Sequence, residues 1–145
     1  MEKHHCGESC SAFDRLLRVS AVLHPDRRVE PDDRETPLNK DFYQNLKAQA
    51  WWQLRRRFEK THRCVSDLTG QTRYDQDELI SLPSALPLLR TLQKELSQPT
   101  ASKGTRMRLV IDEQPEGTRS PNLADAVVMC YWPVGDGVYD SMEWV

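Results

Sequence analysis

Ser120-Pro121-Asn122-Leu123-Ala124-Asp125-Ala126-Val127-Val128-Met129 sets a single carboxylate inside a run of apolar residues, and the way that run folds decides the architecture. Ser120 is a preferred N-cap and Pro121 suits the first helical position, where its missing N–H costs nothing, so the sequence predicts a helix from Pro121 to about Tyr131. Leu123, Ala124, Ala126, Val127, Val128 and Cys130 leave it almost no polar face, and a helix apolar nearly all round is usually buried. Asp125 then falls in the second turn, in an apolar setting where a carboxylate needs a metal ion or a cationic side chain beside it. One reading is structural: a carboxylate favoured by the helix macrodipole or salt-bridged to Arg119. The other gives Asp125 a metal-binding or catalytic role, since perturbed acids gather at functional sites.

Just upstream, Arg106-Met107-Arg108-Leu109-Val110-Ile111-Asp112 alternates as a strand does, and Gln114 to Arg119 form the turn into the final helix. Asp112 closes that strand, within reach of Asp125 across the loop. Hard cations such as Mg²⁺ take carboxylate oxygens of this kind, while an aspartate at a strand end is also a common turn residue. Glu113 is a weaker candidate.

Charge is distributed unevenly. The chain has 145 residues and a formal net charge of −2. Between Lys40 and Arg63, however, Lys40, Lys47, Arg55, Arg56, Arg57, Lys60 and Arg63 face only Asp41 and Glu59, a local excess of +5. Phe42, Leu46, Ala50, Leu54 and Phe58 recur at intervals of four, with Trp51 alongside, which predicts an amphipathic helix packed on a core. Trp52 points about a third of a turn away, where it could stack on a partner or the next helix, but core packing is the favoured reading for both tryptophans. Arg55, Arg56, Arg57, Lys60 and Arg63 form a candidate DNA-binding face, because affinity for duplex DNA comes largely from cations that neutralise phosphates. The alternative is a solvated face with ordinary ion pairs, such as Glu59 with Arg55 or Arg56.

Elsewhere, Ser11 to about Val22 reads as a short amphipathic helix through Phe13, Leu16, Leu17 and Val19. From Pro25 to Pro37 the chain reads as an exposed linker or poorly ordered loop. Asp75 or Asp77 caps a short turn that Pro83 stops. Ser84 begins a helix with Leu86, Leu88, Leu89, Leu92 and Leu96 facing inward, ended by Gln98-Pro99. Thr100 to Thr105 reads as a flexible connector, and the residues after Pro133 as a frayed tail.

Charged residues make up 29% of the chain and mean hydropathy is −0.70, with no apolar run long enough to span a membrane. The N-terminus has no apolar core and is no secretion signal. The four cysteines, Cys6, Cys10, Cys64 and Cys130, read as reduced thiols. His4, His5, Cys6 and Cys10 are zinc-ligand types at a poor spacing for one ion, and a mobile terminus is the competing reading.

The final-helix segment resembles the C-terminal nuclease part of tailed-phage and prophage terminase large subunits. So does Asn39-Lys40-Asp41-Phe42-Tyr43-Gln44-Asn45-Leu46-Lys47-Ala48-Gln49-Ala50-Trp51-Trp52-Gln53-Leu54-Arg55-Arg56-Arg57-Phe58. Asp77-Glu78-Leu79-Ile80-Ser81-Leu82-Pro83, Glu95-Leu96-Ser97-Gln98-Pro99-Thr100, and Val110-Ile111-Asp112 leading through Pro115-Glu116-Gly117-Thr118 are similar to that family as well, in one order and spacing from about Leu38 to Val134.

The resemblance implies an α/β chain: an incomplete ribonuclease H-like nuclease domain, mostly helical with few strands. It divides the sequence into a divergent or partly disordered segment 1–37, a nuclease-like region 38–134 and a tail 135–145. It further implies an ATP-driven packaging motor and endonuclease that cuts concatemeric viral DNA by two-metal hydrolysis with Mg²⁺ or Mn²⁺. Asp125 matches the last metal-binding, catalytic acid; Asp112 is a second metal candidate. Double-stranded viral DNA, a terminase small subunit and a portal are the implied partners, with no membrane, in the cytoplasm of a bacterial host carrying the gene in a prophage.

The sequence departs from the family in two respects. No Gly-x-x-x-x-Gly-Lys-Ser/Thr phosphate loop is present, and no strand carrying the family's first acid precedes Leu38. The chain therefore reads as a truncated prophage remnant or gene fragment. The expectation is weak metal binding and no activity alone; the alternative function is a catalytically inactive, non-specific DNA- or protein-binding module.

Overall fold

The computed structural model describes residues 12–112 and 121–131. Five helices, α1 (Ala12–Val19), α2 (Asn39–Phe42), α3 (Leu46–Ser66), α4 (Leu89–Leu96) and α5 (Asn122–Cys130), accompany a two-stranded sheet of β1 (Ala101–Lys103) and β2 (Leu109–Ile111). The fold is mostly helical with few strands, as expected. The Ser120 cap, Arg119, Glu113, the 114–119 turn, the His4, His5, Cys6 and Cys10 cluster and the tail after Pro133 lie outside the described residues.

α3 is the spine. The Asn45 side chain accepts the Ala48 N–H at 3.0 Å and so caps it, which explains why the helix starts at Leu46 and not earlier. The apolar stripe drawn through Phe42 is accordingly split. Phe42 ends α2, Tyr43 and Asn45 take extended backbone angles around a bend, and the Gln44 N–H leaves the helical pattern to bond the Leu109 carbonyl at 2.9 Å. Leu46, Ala50, Trp51 and Leu54 are buried as the periodicity predicts, and Tyr43 joins them, which it did not predict. Tyr43, Ala50, Trp51 and Leu54 form the core together with Ile80, Leu92, Leu109, Ile111, Ala124 and Val128; each fully buried large side chain contributes about 1.5–3 kcal/mol by leaving water.

At its far end α3 is stopped by Asp67. That carboxylate accepts from the Thr69 N–H at 2.8 Å, the Thr69 hydroxyl at 2.6 Å and the Thr72 N–H at 2.6 Å. These bonds, the Thr69 hydroxyl first, hold its pKa well below the usual carboxylate range. A depressed folded pKa stabilises the fold above the ordinary carboxylate value, and the benefit is lost as pH falls through the folded one. Asp67→Asn should therefore flatten the loss of stability on acidification below about pH 4. Acid titrations of parent and variant followed by circular dichroism test this, and coincident curves would refute it.

Two buried amides fix the chain before α2. The Gln49 side chain accepts the Leu23 N–H at 2.7 Å and donates to the Leu23 carbonyl at 3.0 Å, while Asn39 donates to the His24 carbonyl at 3.0 Å. They hold His24 at φ 47°, a left-handed turn that a residue other than glycine seldom adopts unaided. Segment 25–37 is largely exposed, as expected, yet it is a closed loop. An antiparallel bridge joins Arg28 to Leu38, the Val29 N–H bonds the Pro37 carbonyl at 3.0 Å, and Val29 reaches the core.

Three local readings change. In α1 Leu17 is buried, whereas Leu16 is 59% and Val19 83% exposed. Leu16 and Val19 are three apart and share the outward face, so a helix this short buries only Leu17's side. α4 begins at Leu89 and not at Ser84, because Pro87 disfavours helical backbone at Leu86 and forces turns first; Leu88 is left exposed. Residues 101–103, read as a connector, form β1, antiparallel to β2 with Ala101 opposite Ile111 and Lys103 opposite Leu109. All three β1 residues are exposed and non-alternating, so only backbone pairing reveals the strand. The expected turn after Asp75 is present as a single 3-10 turn, Gln76–Glu78.

Candidate metal and nucleic-acid site

α5 forms where the apolar run predicts, and Asp125 is buried in it, 6% exposed. The helix is not covered all round. Ala124 and Val128 are buried, but Ala126, Met129 and Cys130 share an exposed side, with Met129 48% exposed; among the described residues α5 packs mainly on α4 and α3. Pro121 holds the N-cap place without a side-chain bond, and its carbonyl accepts the Asp125 N–H at 2.8 Å.

The cap comes from another helix. Glu95, on the last turn of α4, accepts the Leu123 N–H at 2.7 Å and the Ala124 N–H at 3.0 Å through one carboxylate oxygen. It satisfies two of the orphan donors at the start of α5 and places negative charge at the positive end of the macrodipole. Sequence reasoning missed Glu95, which lies 28 residues from the Leu123 N–H that it accepts and carries no local capping signature.

Asp112 closes β2 as expected, and its carboxylate is turned to β1. One oxygen accepts the Thr100 hydroxyl at 3.0 Å, the other the Ser102 hydroxyl at 2.5 Å, and its N–H bonds the Thr100 carbonyl at 2.9 Å. These bonds pin the open end of the hairpin. Among the described residues no three of His, Cys, Asp and Glu gather into a group able to hold a metal ion. The described residues alone do not fit a two-cation centre.

The candidate DNA face on α3 is largely engaged within the protein. Arg55 donates to Glu59 at 2.9 Å, the i,i+4 pair foreseen, and stacks on Trp52 with its guanidinium 4.8 Å from the ring centroid. Arg56 pairs with Glu30 of the 25–37 loop instead of Glu59. Arg57 donates to the Leu79 carbonyl at 3.1 Å and lies 5.1 Å over the Tyr131 ring, tying α3 to the end of α5. Lys60 pairs with Glu78, holding that carboxyl below the usual range, and sits 5.3 Å over Tyr74. Arg63 is exposed beside Tyr74. Trp52 is half-buried against the edge of the core, as favoured, with its ring 5.6 Å from that of Phe42.

Cys64 and Cys130 are free thiols, and no helix among the described residues is long and apolar enough to cross a membrane.

No family model matches the chain, and no curated protein sequence does. Solved structures do. The chain is similar to the nuclease domain of the large terminase subunit gp2 of bacterial virus Sf6, with a TM-score of 0.65 and 26% identity over 80% of this chain and 51% of that one. A mutant gp2c of the bacteriophage Sf6 large terminase subunit with calcium gives 0.63 and 28% identity over 77% and 49%. A mutant of that nuclease domain with manganese gives 0.58 and 27% over 74% and 50%. This chain thus spans about half the length of the solved domains it matches. With five helices and a two-stranded sheet among its described residues, the chain is a terminase nuclease-like domain, an incomplete α/β domain of the ribonuclease H-like class.

Proposed function

We propose that this chain works as part of a terminase-type nuclease acting on double-stranded viral DNA, that α5 supplies Asp125 as one acid of a Mg²⁺ or Mn²⁺ centre, and that the chain alone does not hydrolyse DNA. The observation carrying this reading is a buried Asp125 on an otherwise apolar helix whose N-terminus Glu95 anchors, in a fold similar to a nuclease domain whose mutant form was solved with manganese. Asp112 is a weaker ligand candidate, since both of its oxygens already accept hydroxyl bonds. On α3, Arg55 and Arg63 are the exposed cations that phosphate would reach, Arg55 by competing with Glu59; Arg56, Arg57 and Lys60 are half-buried in internal contacts. A terminase small subunit, a portal and a bacterial cytoplasm belong to the same proposal, as does a prophage origin.

Calorimetry with Mn²⁺ should give an affinity no tighter than about millimolar, because one or two acids cannot supply a full oxygen shell. Supercoiled plasmid incubated with the chain and Mn²⁺ should stay supercoiled. A tight stoichiometric site, with nicking that Asp125→Asn abolishes, would overturn the claim of inactivity and show that this chain completes the centre itself. The DNA reading stands on separate ground: binding to duplex DNA without sequence preference, falling steeply as salt rises, is expected, and no binding at low salt overturns it.

A further inference from the structure

If duplex DNA is the partner, as proposed above, it needs a cationic face, and α3 spends most of its charge internally. The β1–β2 hairpin does not. Between Gln98 and Ile111 the sequence carries Lys103, Arg106 and Arg108 and no acid. None of the three takes part in an ion pair among the described residues.

The hairpin is built to hold these charges in place. The Gly104 N–H bonds the Arg108 carbonyl at 2.8 Å and closes the tip, inside which the Met107 N–H bonds the Gly104 carbonyl at 3.1 Å. A Cβ at Gly104 would meet Val110 Cγ2 at 2.4 Å, so the tip lies directly against β2 and only glycine fits. Lys103 is laid over Phe42, its ammonium 5.5 Å from the ring centroid. Arg106 and Met107 have φ of 57° and 60°, left-handed backbone at two successive residues that are not glycine. Both are exposed, and Arg108 is half-buried at the base of the tip. A strained tip that keeps arginine where glycine would be unstrained is the kind of outlier from which function is inferred.

We propose that the hairpin tip, through Lys103, Arg106 and Arg108, is the principal phosphate-backbone contact of this chain with duplex DNA, ahead of the α3 cations. Binding through such a tip is indifferent to sequence and sensitive to salt, because each phosphate neutralised releases condensed counterions.

The test measures affinity of the full chain for a short mixed-sequence duplex by fluorescence anisotropy over a series of NaCl concentrations. Arg106→Gly removes a charge at a position whose backbone favours glycine, so its thermal midpoint should hold or rise while binding falls. Combined with Lys103→Gln, the loss at low salt should reach about tenfold, and the slope of log affinity on log salt should shrink by about two. Arg106→Lys should bind nearly as the parent does. Arg55→Gln with Arg63→Gln should cost less than the hairpin pair. An equal or larger loss in that α3 pair, or parent-like binding by the hairpin pair, overturns the proposal and leaves DNA as the partner. A parent chain that binds no duplex at low salt overturns the DNA reading itself, and the hairpin assignment with it.

Discussion

Replacing Leu54 with alanine should destabilise the fold by about 3 kcal/mol, a large part of what a domain of this size has to lose. Leu54 is 2% exposed and belongs to the same core as Leu109, Ile111, Ala124 and Val128, so it lies where α3 receives the sheet and the last helix. Truncation removes the transfer free energy of the lost carbons and leaves a cavity, because Ala50 on the preceding turn is too small to fill it. Urea unfolding of parent and variant, with the slopes compared, measures the effect. A loss under about 1 kcal/mol would mean that the site collapses freely and that α3 is not the spine described above.

The second large effect is expected at Glu95. Glu95→Ala takes away a charged acceptor from two backbone donors at the start of α5 and should cost about 2 kcal/mol, since unpaired, partly buried N–H groups bear a desolvation penalty. Glu95→Gln keeps an acceptor and loses the charge, so it should retain roughly half of that stability. The denaturant midpoint distinguishes the three proteins. Equal stability of Glu95→Ala and parent would show that the Leu123 and Ala124 amides are satisfied in another way and that the link between α4 and α5 is incidental.

The contrast between Glu95 and Asp125 explains what could be read ahead of the structure. Asp125 was legible because its whole context is local: nine successive residues set the helix, and their apolar character sets its burial. The core positions Leu46, Ala50, Trp51 and Leu54 were legible for the same reason, a periodicity contained within one element. Glu95 caps a helix 28 residues away, Arg56 finds Glu30 and Lys60 finds Glu78; no spacing rule reaches across such separations. The candidate DNA face on α3 was visible as charge, but the partners that engage much of it were not. β1 escaped notice because its residues are polar, exposed and without alternation, leaving only the ladder with β2 to define it. Where a strong local signal met a stronger competitor, the competitor won: Asn45 capped α3 and broke the stripe at Phe42, and Pro87 delayed α4.

That break at Asn45 has a dynamic consequence. With the Gln44 N–H bound to Leu109 and Tyr43 bridged in parallel to the same residue, these two residues are fastened to the hairpin, while Asn45 next to them caps α3. Native-state hydrogen exchange at the Gln44 amide should then report the opening of β2, with a protection factor that tracks the hairpin amides and ignores fraying of the first turn of α3. The entry to α3 and the base of the cationic tip are then expected to open together, with a load on the tip reaching residues 43 and 44.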